Sequence, residues 1–343
     1  VMLHHMRMRI DQLSGRNEVF MTLKEQVLSC LEKNRTQSIS GEQLAEKFNV
    51  SRSAVWKVIN ALRTEGYDIE AVTNRGYRLA GDKDRLSAPG IAAFAEYIDP
   101  EKIFVFDEID STNNKARTMA LEGAPHGTVI FADSQTAGRG RLGRTFVSPS
   151  GSGIYMSAIL RPSADIGKAM LITTAAAAAV CRAVRNVTGV DAGIKWVNDI
   201  YVGEKKICGI LTEAMTDFES GGLESVIVGI GINFKRSSGS YPDDVLRRIT
   251  WIYDEKQPEI SRNHLAAAVM DEVLRLCDDL DDKSFLDYYR EHAIMLDKDV
   301  VCIRGNERWE AHTVDIDDQG GLIIRMPDGK LRTLSSGEIS IRW

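Results

Sequence analysis

The chain has 343 residues, which exceeds the usual size of a single hydrophobic core, so we expect two or three domains. Its composition, with 43% hydrophobic and 27% charged residues, is typical of a globular, water-soluble protein. The net charge of −6 excludes a protein whose whole surface binds nucleic acid, although one small domain can still do so.

The spacing of the cysteines and the length of the apolar stretches indicate the cellular compartment of the protein. The five cysteines are scattered and never form a CxxC pair, which predicts reduced thiols in the cytoplasm. They are Cys30, Cys181, Cys208, Cys277 and Cys302. The longest apolar stretch, residues 169–181, is too short to cross a bilayer and predicts an alanine-rich helix packed on a sheet. Residues 1–20 contain no secretory signal, and we interpret Met21 as a natural start.

The first predicted domain, residues 21–82, has helix-turn-helix spacing. The apolar residues over 23–31 recur at helical intervals. Ser40 followed by Gln43 is a capping-box signal for a short second helix, and Ser51 is a suitable cap for a third. Behind the third helix, two short extended runs flank the turn Asn74-Arg75-Gly76, which predicts a hairpin wing.

Basic side chains collect on the third helix and the wing, although this domain is close to neutral. We expect the motif, from Gly41 to Asn60, to bind DNA, because phosphate contacts position such a unit and the start of its third helix reaches base edges. The expected contacts are Ser51, Arg52, Ser53 and Lys57 on the helix and Arg75 on the wing. A winged helix used only for protein contact or regulation remains the alternative.

The second predicted domain, residues 83–297, follows a polar, breaker-rich segment at 81–90. Extended runs alternate irregularly with helical segments, and hairpin signals stand at Gly203-Glu204 and Gly221-Gly222, which favours an α+β domain with a mixed sheet. The predicted strands are 103–109, 128–132, 154–160, 193–197, 206–213 and 224–230. The predicted helices are 112–122, 167–187 and 263–280.

The last predicted domain, residues 298–343, contains five short extended runs separated by glycine-containing turns. This spacing predicts a small β-barrel.

A seven-residue stretch, Gly138-Arg139-Gly140-Arg141-Leu142-Gly143-Arg144, interleaves three glycines with three arginines. Glycine lets the backbone approach a ligand closely, and arginine offers a fork of donors to carboxylate or phosphate. The stretch lies between two predicted strands and suggests a loop that cradles an anion. The heptapeptide alone leaves a solvated basic loop or a nucleic-acid patch open.

Five motifs in order resemble those of the biotin protein ligase family. They are Ser111-Thr112-Asn113, Gln135 with the glycine-arginine loop, Lys195-Trp196-Val197-Asn198-Asp199, Lys206-Ile207-Cys208-Gly209-Ile210-Leu211 and Gly229-Ile230-Gly231-Ile232-Asn233. The winged helix makes the chain similar to the bifunctional members, which are also biotin operon repressors. The resemblance implies a class II synthetase-like ligase domain and, over residues 298–343, an SH3-like C-terminal barrel, whose motif in this chain is Gly337-Glu338-Ile339-Ser340.

The resemblance also implies the reaction. Biotin and MgATP would give biotinyl-5′-adenylate and pyrophosphate, and a lysine of the biotin carboxyl carrier protein of acetyl-CoA carboxylase would then take the biotinyl group. Biotinyl-adenylate would serve as corepressor by promoting a homodimer that binds operator DNA. Activation of an acid by ATP brings two anions together, so arginine forks, backbone N–H groups and a lysine suit this chemistry.

Site residues carry over position by position. The resemblance implies a biotin site at Ser111, Thr112, Asn113, Gln135, Arg139, Gly140, Arg141, Lys195 and Gly209. It implies an ATP site at Gly138, Arg144, Phe146, Asn198, Asp199 and Asn233. Lys195, Arg141 and Arg144 are expected to act in the chemical step. Mg²⁺ would be bound through the ATP phosphates, with Asp199 as a possible protein ligand.

Two positions depart from the family pattern. Phe146 stands where tryptophan is frequent, and Val197 stands where proline is frequent. Each implied role also has a structural alternative: a plain helix cap at Ser111, a solvent-facing lysine at Lys195 and a simple turn at Asn198 and Asp199. Two other functions stay open: a biotin-sensing transcription factor without ligase activity, and a ligase whose winged helix does not bind DNA.

Overall fold

The computed structural model describes residues 22–341 except for residues 36, 74, 80–83, 163–168, 217–222, 237–240 and 255. The chain divides into two compact units between residues 80 and 81. The predicted wing turn at Asn74, the domain boundary at 81–83, the turn at Gly221-Gly222 and the start of the helix at 167–168 lie outside the described residues, as do residues 342–343 of the last predicted strand.

The first unit is a helix-turn-helix with a wing, as predicted. Its elements are α1 Leu23–Lys33, α2 Gly41–Lys47, α3 Arg52–Thr64, β1 Ile69–Val72 and β2 Gly76–Leu79. Ser40 and Gln43 form a reciprocal capping box, and the Ser51 hydroxyl accepts a hydrogen bond from the Ala54 N–H at 3.1 Å. The two wing strands pair antiparallel. A core contributed by all three helices is buried at Val27, Leu31, Leu44, Val55, Ile59 and Leu62.

The second unit is built on a seven-stranded mixed sheet in the order β3-β4-β5-β9-β8-β7-β6. The strands are β3 Ile103–Ile109, β4 Thr128–Gln135, β5 Gly153–Leu160, β6 Ala192–Lys195, β7 Asp199–Val202, β8 Lys205–Thr216 and β9 Leu223–Asn233. Among the strand pairs of this sheet that the structure describes, β3–β4 is parallel and the others are antiparallel. The predicted hairpin at Gly203-Glu204 joins β7 to β8, and the φ of Gly203 is 56°.

Helices cover both faces of this sheet. They are α4 Ala88–Ala92, α5 Thr112–Leu121, α6 Ala169–Thr188, α7 Asp243–Leu246, α8 Arg262–Asp278 and α9 Ser284–Glu291. On one face, Ala116 and Ala120 of α5 pack on Ile130, Ile159 and Ile227. On the other face, α6 and α8 pack on the alternate residues of the same strands. Because both faces are covered, β5 is buried along its whole length.

The alanine-rich helix was predicted correctly. Five consecutive alanines of α6 are fully buried, and their small side chains let the helix lie close to its neighbours. They are Ala175, Ala176, Ala177, Ala178 and Ala179. By length and composition alone Met170–Thr188 could cross a membrane, but the stretch is mostly buried, which is the situation of a core helix.

Five C-terminal strands form an antiparallel sheet in the order β13-β12-β11-β10-β14. They are β10 Asp299–Arg304, β11 Glu307–Ile316, β12 Leu322–Arg325, β13 Leu331–Leu334 and β14 Glu338–Ile341. Their inward residues belong to the same hydrophobic cluster as the central sheet. The Trp196 indole donates a hydrogen bond to the Gly320 carbonyl at 3.0 Å, which also ties this sheet to the β6–β7 turn.

Candidate functional site

One cavity of about 1080 Å³ gathers nearly all of the site residues predicted from the sequence. Its walls come from the start of α5, the glycine-arginine loop, the β6–β9 part of the sheet, the segment around α7 and the last strand. The predicted residues that line it are Ser111, Thr112, Asn113, Gln135, Arg139, Gly140, Arg141, Arg144, Phe146, Lys195, Asn198, Asp199, Gly209 and Asn233. Gly138 is the exception and lies outside the lining.

Gly138 has a structural role behind the cavity wall. A Cβ atom at this position would come within 2.3 Å of the Phe146 carbonyl oxygen. The Phe146 N–H donates a hydrogen bond to the Gly138 carbonyl at 2.9 Å, which closes the base of the loop. Only glycine therefore fits where the two sides of the loop meet.

The start of α5 presents its polar groups in a fixed arrangement. Ser111 caps the helix without a side-chain hydrogen bond, so its hydroxyl does not serve as an ordinary cap. Gln135 accepts hydrogen bonds from the Thr112 N–H at 2.8 Å and from the Thr112 hydroxyl at 3.2 Å. The Gln135 amide nitrogen donates to the Ser148 hydroxyl at 2.8 Å. Gln135 thus orients Thr112 in addition to lining the cavity.

Asn113 is held by three neighbours. Its Oδ1 accepts a hydrogen bond from the Ser157 hydroxyl at 2.7 Å, and its Nδ2 donates to Glu213 Oε2 at 2.8 Å. A Cβ atom at Gly229 would lie 1.9 Å from Asn113 Oδ1, so glycine is required for this approach. The amide is consequently fixed in one orientation, which suits recognition of a ligand with both donors and acceptors.

The three arginines of the loop contact different partners. Arg139 forms an ion pair with Glu213 at 3.0 Å. Arg141 donates to Asn198 Oδ1 at 3.0 Å and to the Gly337 carbonyl at 3.3 Å. Arg144 pairs with Glu338 of β14. The loop therefore contacts β8, the β6–β7 turn and the C-terminal sheet at once.

Lys195 stands at the end of β6 and is partly buried in the cavity wall. Its ammonium group lies 5.2 Å from the centre of the Tyr201 ring. Burial lowers the pKa of Lys195 below its usual value, and the nearby Asp199 carboxylate opposes that change. The next peptide bond, between Trp196 and Val197, is cis. Lys195 thus lies in the wall with its charge weakly solvated, where it attracts anions strongly.

Asn198 and Asp199 are both bonded to protein groups. The Asn198 amide donates to the Ile210 carbonyl at 2.6 Å, and Asp199 forms an ion pair with Lys206 at 2.6 Å. In the parts of the chain that the structure describes, no group of three or more His, Cys, Asp and Glu side chains could hold a metal ion. Asp199 is a single carboxylate whose Oδ1 is already paired with Lys206, so most ligands of Mg²⁺ would have to come from substrate and water.

Phe146 covers the glycine-containing strands in the cavity floor. A Cβ atom would come within 2.5 Å of the Phe146 ring at Gly231 and 3.5 Å at Gly209. The ring also packs edge-on against Tyr155, with centroids 6.3 Å apart. These glycines leave the space directly above the sheet that the Phe146 ring occupies.

Six charged residues in or beside the cavity carried no predicted role. They are Lys206, Glu213, Asp244, Arg248, Arg308 and Glu338, of which all but Glu213 line the cavity. Lys206 and Glu338 belong to motifs quoted above, so their positions were recognised although their partners were not. Glu213 had no comparable signal, because its contacts to Asn113, Arg117 and Arg139 lie far away in the sequence.

The predicted DNA-contact residues lie on the first unit. Ser51, Arg52, Ser53 and Lys57 are exposed at the start of α3, and Arg75 is exposed in the wing. Two further basic residues have structural partners: Arg63 donates to the Ile69 carbonyl, and Arg78 pairs with Glu70.

Comparison with known proteins gives three family matches along the chain. The Biotin/lipoate A/B protein ligase family matches residues 105–233, an HTH domain matches residues 24–78, and the Biotin protein ligase C terminal domain matches residues 296–342.

Whole-chain relatives and solved structures agree with these matches. The chain is 33% identical over 332 residues to the bifunctional ligase/repressor BirA of Bacillus spizizenii, covering 93% of this chain and 99% of the relative. It is 30% identical to the bifunctional ligase/repressor BirA of Escherichia coli, covering 88% and 92%. The biotin protein ligase of Aquifex aeolicus, solved in complex with biotin and ATP, is 27% identical with a TM-score of 0.59 and covers 70% of this chain and 98% of that chain.

Proposed function

Because the chain belongs to the family of bifunctional biotin ligase/repressors, we propose that it activates biotin with ATP, transfers the biotinyl group to a carrier protein and represses transcription through its winged helix. The observation that carries the ligase half is that one cavity brings Lys195, Arg141 and Arg144 together with the fixed polar groups of α5.

In the first step, a biotin carboxylate oxygen attacks the α-phosphorus of ATP and pyrophosphate leaves. Both reactants are anions, so the site must screen their repulsion before the bond forms. Lys195 supplies a weakly solvated positive charge for this purpose, and Arg141 supplies a guanidinium whose position is set by Asn198 and the Gly337 carbonyl. Arg144 and Lys206 add positive charge for the leaving phosphates.

The two ends of the cavity differ in chemistry, which supports an assignment of the ligands. The start of α5 offers uncharged donors and acceptors for the ureido group of biotin, namely Ser111, Thr112 and Asn113, with Gln135, Arg139, Gly140 and Gly209 around them. The nucleotide would lie beside Phe146, Arg144, Asn198, Asp199 and Asn233. Mg²⁺ would enter with the ATP phosphates, with Asp199 as its possible protein ligand, and would neutralise their charge. Gly138 would support the loop from behind.

In the second step, the amine of a carrier lysine attacks the acyl carbon of biotinyl-adenylate and AMP leaves. The amine must first lose a proton, although the ordinary pKa of a lysine side chain is about 10.4. The carrier is proposed to be the biotin carboxyl carrier protein of acetyl-CoA carboxylase, and the reaction is proposed to take place in the cytoplasm.

The repressor half rests on the winged helix with its exposed basic side chains. Biotinyl-adenylate would promote a homodimer, because two helix-turn-helix units on neighbouring half-sites give the specificity that one unit lacks. We propose functional domains at residues 21–82, 83–297 and 298–343, each of which contains most or all of one matched family segment.

A calorimetric titration of biotin and MgATP, with pyrophosphate release followed in parallel and a carrier domain added last, tests the ligase. Biotin binding, pyrophosphate release and carrier labelling together are expected. Biotin binding without pyrophosphate would instead identify a biotin sensor. DNA binding measured at several salt concentrations, with and without biotinyl-adenylate, tests the repressor half.

A further inference from the structure

An indole is exposed on the third helix of the first unit, beyond the polar residues already assigned to DNA contact. The Trp56 side chain is 56% exposed, whereas Trp196 and Trp251 are buried at 3% and 4%. A single exposed apolar side chain is ordinary on a protein surface. Trp56 is of interest because it lies on α3, the helix that is proposed to contact DNA.

Helical periodicity places Arg52, Trp56 and Arg63 on one flank of α3, because intervals of four and seven residues return to nearly the same direction. The contacts of Arg63 show which neighbouring element this flank of the helix faces. Its Nε and Nη2 donate to the Ile69 carbonyl of the wing at 2.9 and 2.8 Å, and its guanidinium lies 6.0 Å from the centre of the Tyr77 ring. Trp56 therefore lies on the flank of the recognition helix that borders the wing.

Exposed basic side chains share the helix of Trp56 and occur in the wing. Arg52 and Lys57 are exposed on the same helix, and Arg75 is exposed in the wing. This combination of an apolar ring with basic neighbours complements a polyanion that also offers an apolar group. In the DNA major groove, the apolar group on the base edges is the C5-methyl of thymine.

We propose that Trp56 reads thymine in the operator by packing its indole against the C5-methyl group in the major groove. The proposal rests on the DNA-binding half of the proposed function and deepens it. Phosphate contacts by Lys57 and Arg75 set the register of the helix, and Trp56 adds a preference for one base.

The test removes the methyl group alone. Duplexes are selected from a randomised pool by the full-length protein in the presence of biotin and MgATP, and each dT of the best binder is replaced in turn by dU. We expect the wild-type protein to bind about three- to fivefold more weakly at one or two of these positions, the change that burial of one methyl-sized group produces. The Trp56→Ala variant should bind the dT and dU duplexes equally.

Two further variants complete the design. Trp56→Phe keeps an apolar ring and should retain part of the discrimination, which covers the case in which Trp56→Ala fails to fold. Lys57→Ala should bind all duplexes more weakly, with a smaller salt dependence, but discriminate dT from dU as the wild type does.

Two results would overturn the thymine contact: a wild-type protein indifferent to every dU replacement, or a folded Trp56→Ala variant with undiminished discrimination. Failure of the wild-type protein to select or bind any duplex would overturn the DNA-binding proposal itself and this inference with it. The outcomes therefore separate the two proposals.

Discussion

Arg144 of the glycine-arginine loop and Glu338 of the last strand form a bidentate ion pair. Arg144 Nη1 lies 2.7 Å from Glu338 Oε1, and Arg144 Nη2 lies 2.8 Å from Glu338 Oε2. The Arg144 side chain is 62% exposed and the Glu338 side chain 24% exposed. The hydrogen bonds to Glu338 raise the pKa of Arg144 above its usual value, so the guanidinium remains charged. The donors proposed for phosphate are thus shared with a carboxylate, and the two anions compete for them.

This competition predicts unequal effects for the two partners. Arg144→Gln should lower kcat/KM for ATP by about a hundredfold, because it removes donors that stabilise developing phosphate charge. Glu338→Gln should change it by no more than about fivefold, because an exposed ion pair contributes at most about 1 kcal/mol. Pyrophosphate release measured against ATP concentration checks both. An equal loss in the two variants would show that Glu338 orients Arg144 instead of competing with phosphate.

Lys195→Met should reduce adenylate formation by at least about a hundredfold, since it removes the buried positive charge beside the reacting anions. Biotin binding without nucleotide should weaken much less. Pyrophosphate release and biotin calorimetry on the same preparation distinguish these effects. A variant that keeps full pyrophosphate release would refute the assigned role.

The lowered pKa of Lys195 also predicts a pH dependence. Only the protonated amine screens the two anions, so adenylate formation should fall as the pH rises through the lysine pKa. Because burial lowers that pKa, the fall should begin below the ordinary value of 10.5. In Lys195→Arg, any residual activity should not fall in this range, because a guanidinium stays protonated. The pH profile of single-turnover adenylate formation provides the measurement.

Gly229→Ala should lower biotin affinity by about tenfold or more, because a methyl group would displace Asn113 from Ser157 and Glu213. ATP affinity should change little. Gly189→Ala is the matched control: its φ of 69° makes alanine strained, but no atom lies near the added methyl group. It should cost folding stability without affecting biotin. Equal biotin affinity in the two variants would contradict the prediction.

Arg262→Met should destabilise the second unit by about 3–5 kcal/mol, because the acidic and carbonyl partners of Arg262 would lose the positive charge that they contact. The Arg262 side chain is 2% exposed and contacts Asp133, Asp84 and the Gly153 carbonyl. The comparable change Arg185→Met breaks a pair with a highly exposed aspartate and should cost less than about 1 kcal/mol. Denaturant unfolding of both variants tests the difference, and similar costs would contradict it.

Acid should weaken the ion pair between Arg262 and Asp133. Burial alone would raise the pKa of Asp133, but Arg262, Ser150 and the Gly151 N–H together lower it below the usual 3.8. Unfolded chains therefore bind a proton at higher pH than the native protein does, and the stability from this group is lost as the pH falls through its folded-state pKa. The slope of unfolding free energy against pH in acid should be shallower in Arg262→Met. An unchanged slope would exclude Asp133 as a contributor.

Local signals explain what the sequence predicted well. Capping residues and periodicity placed α1 to α3 to within a few residues, because these features depend on neighbours along the chain. Helix α9 was not predicted, since its buried face consists only of Phe285, Leu286 and Tyr289, which is too short a pattern to recognise. The predicted strand at 193–197 ends at Lys195, where the chain turns tightly into β7.

Prediction of the site was limited in the same way, because sequence patterns report mainly on neighbours along the chain. The sequence indicated which polar residues matter but not which of them contact one another. Gln135 was expected only to contact biotin, yet it holds Thr112 and Ser148. Asp199 was considered as a metal ligand, yet it pairs with Lys206. Such pairings depend on how strands align, and no local pattern records that alignment.

The contacts of Gly337 and Glu338 with the glycine-arginine loop have a consequence for protein synthesis. The ribosome makes the loop and the central sheet well before these two residues, so the earlier strands can leave the exit tunnel and pair before residues 337 and 338 do. A nascent chain can therefore have the polar groups at the start of α5 in place before Arg141 and Arg144 obtain their C-terminal partners. Complete pairing of these arginines has to wait until residues 337 and 338 have left the ribosome.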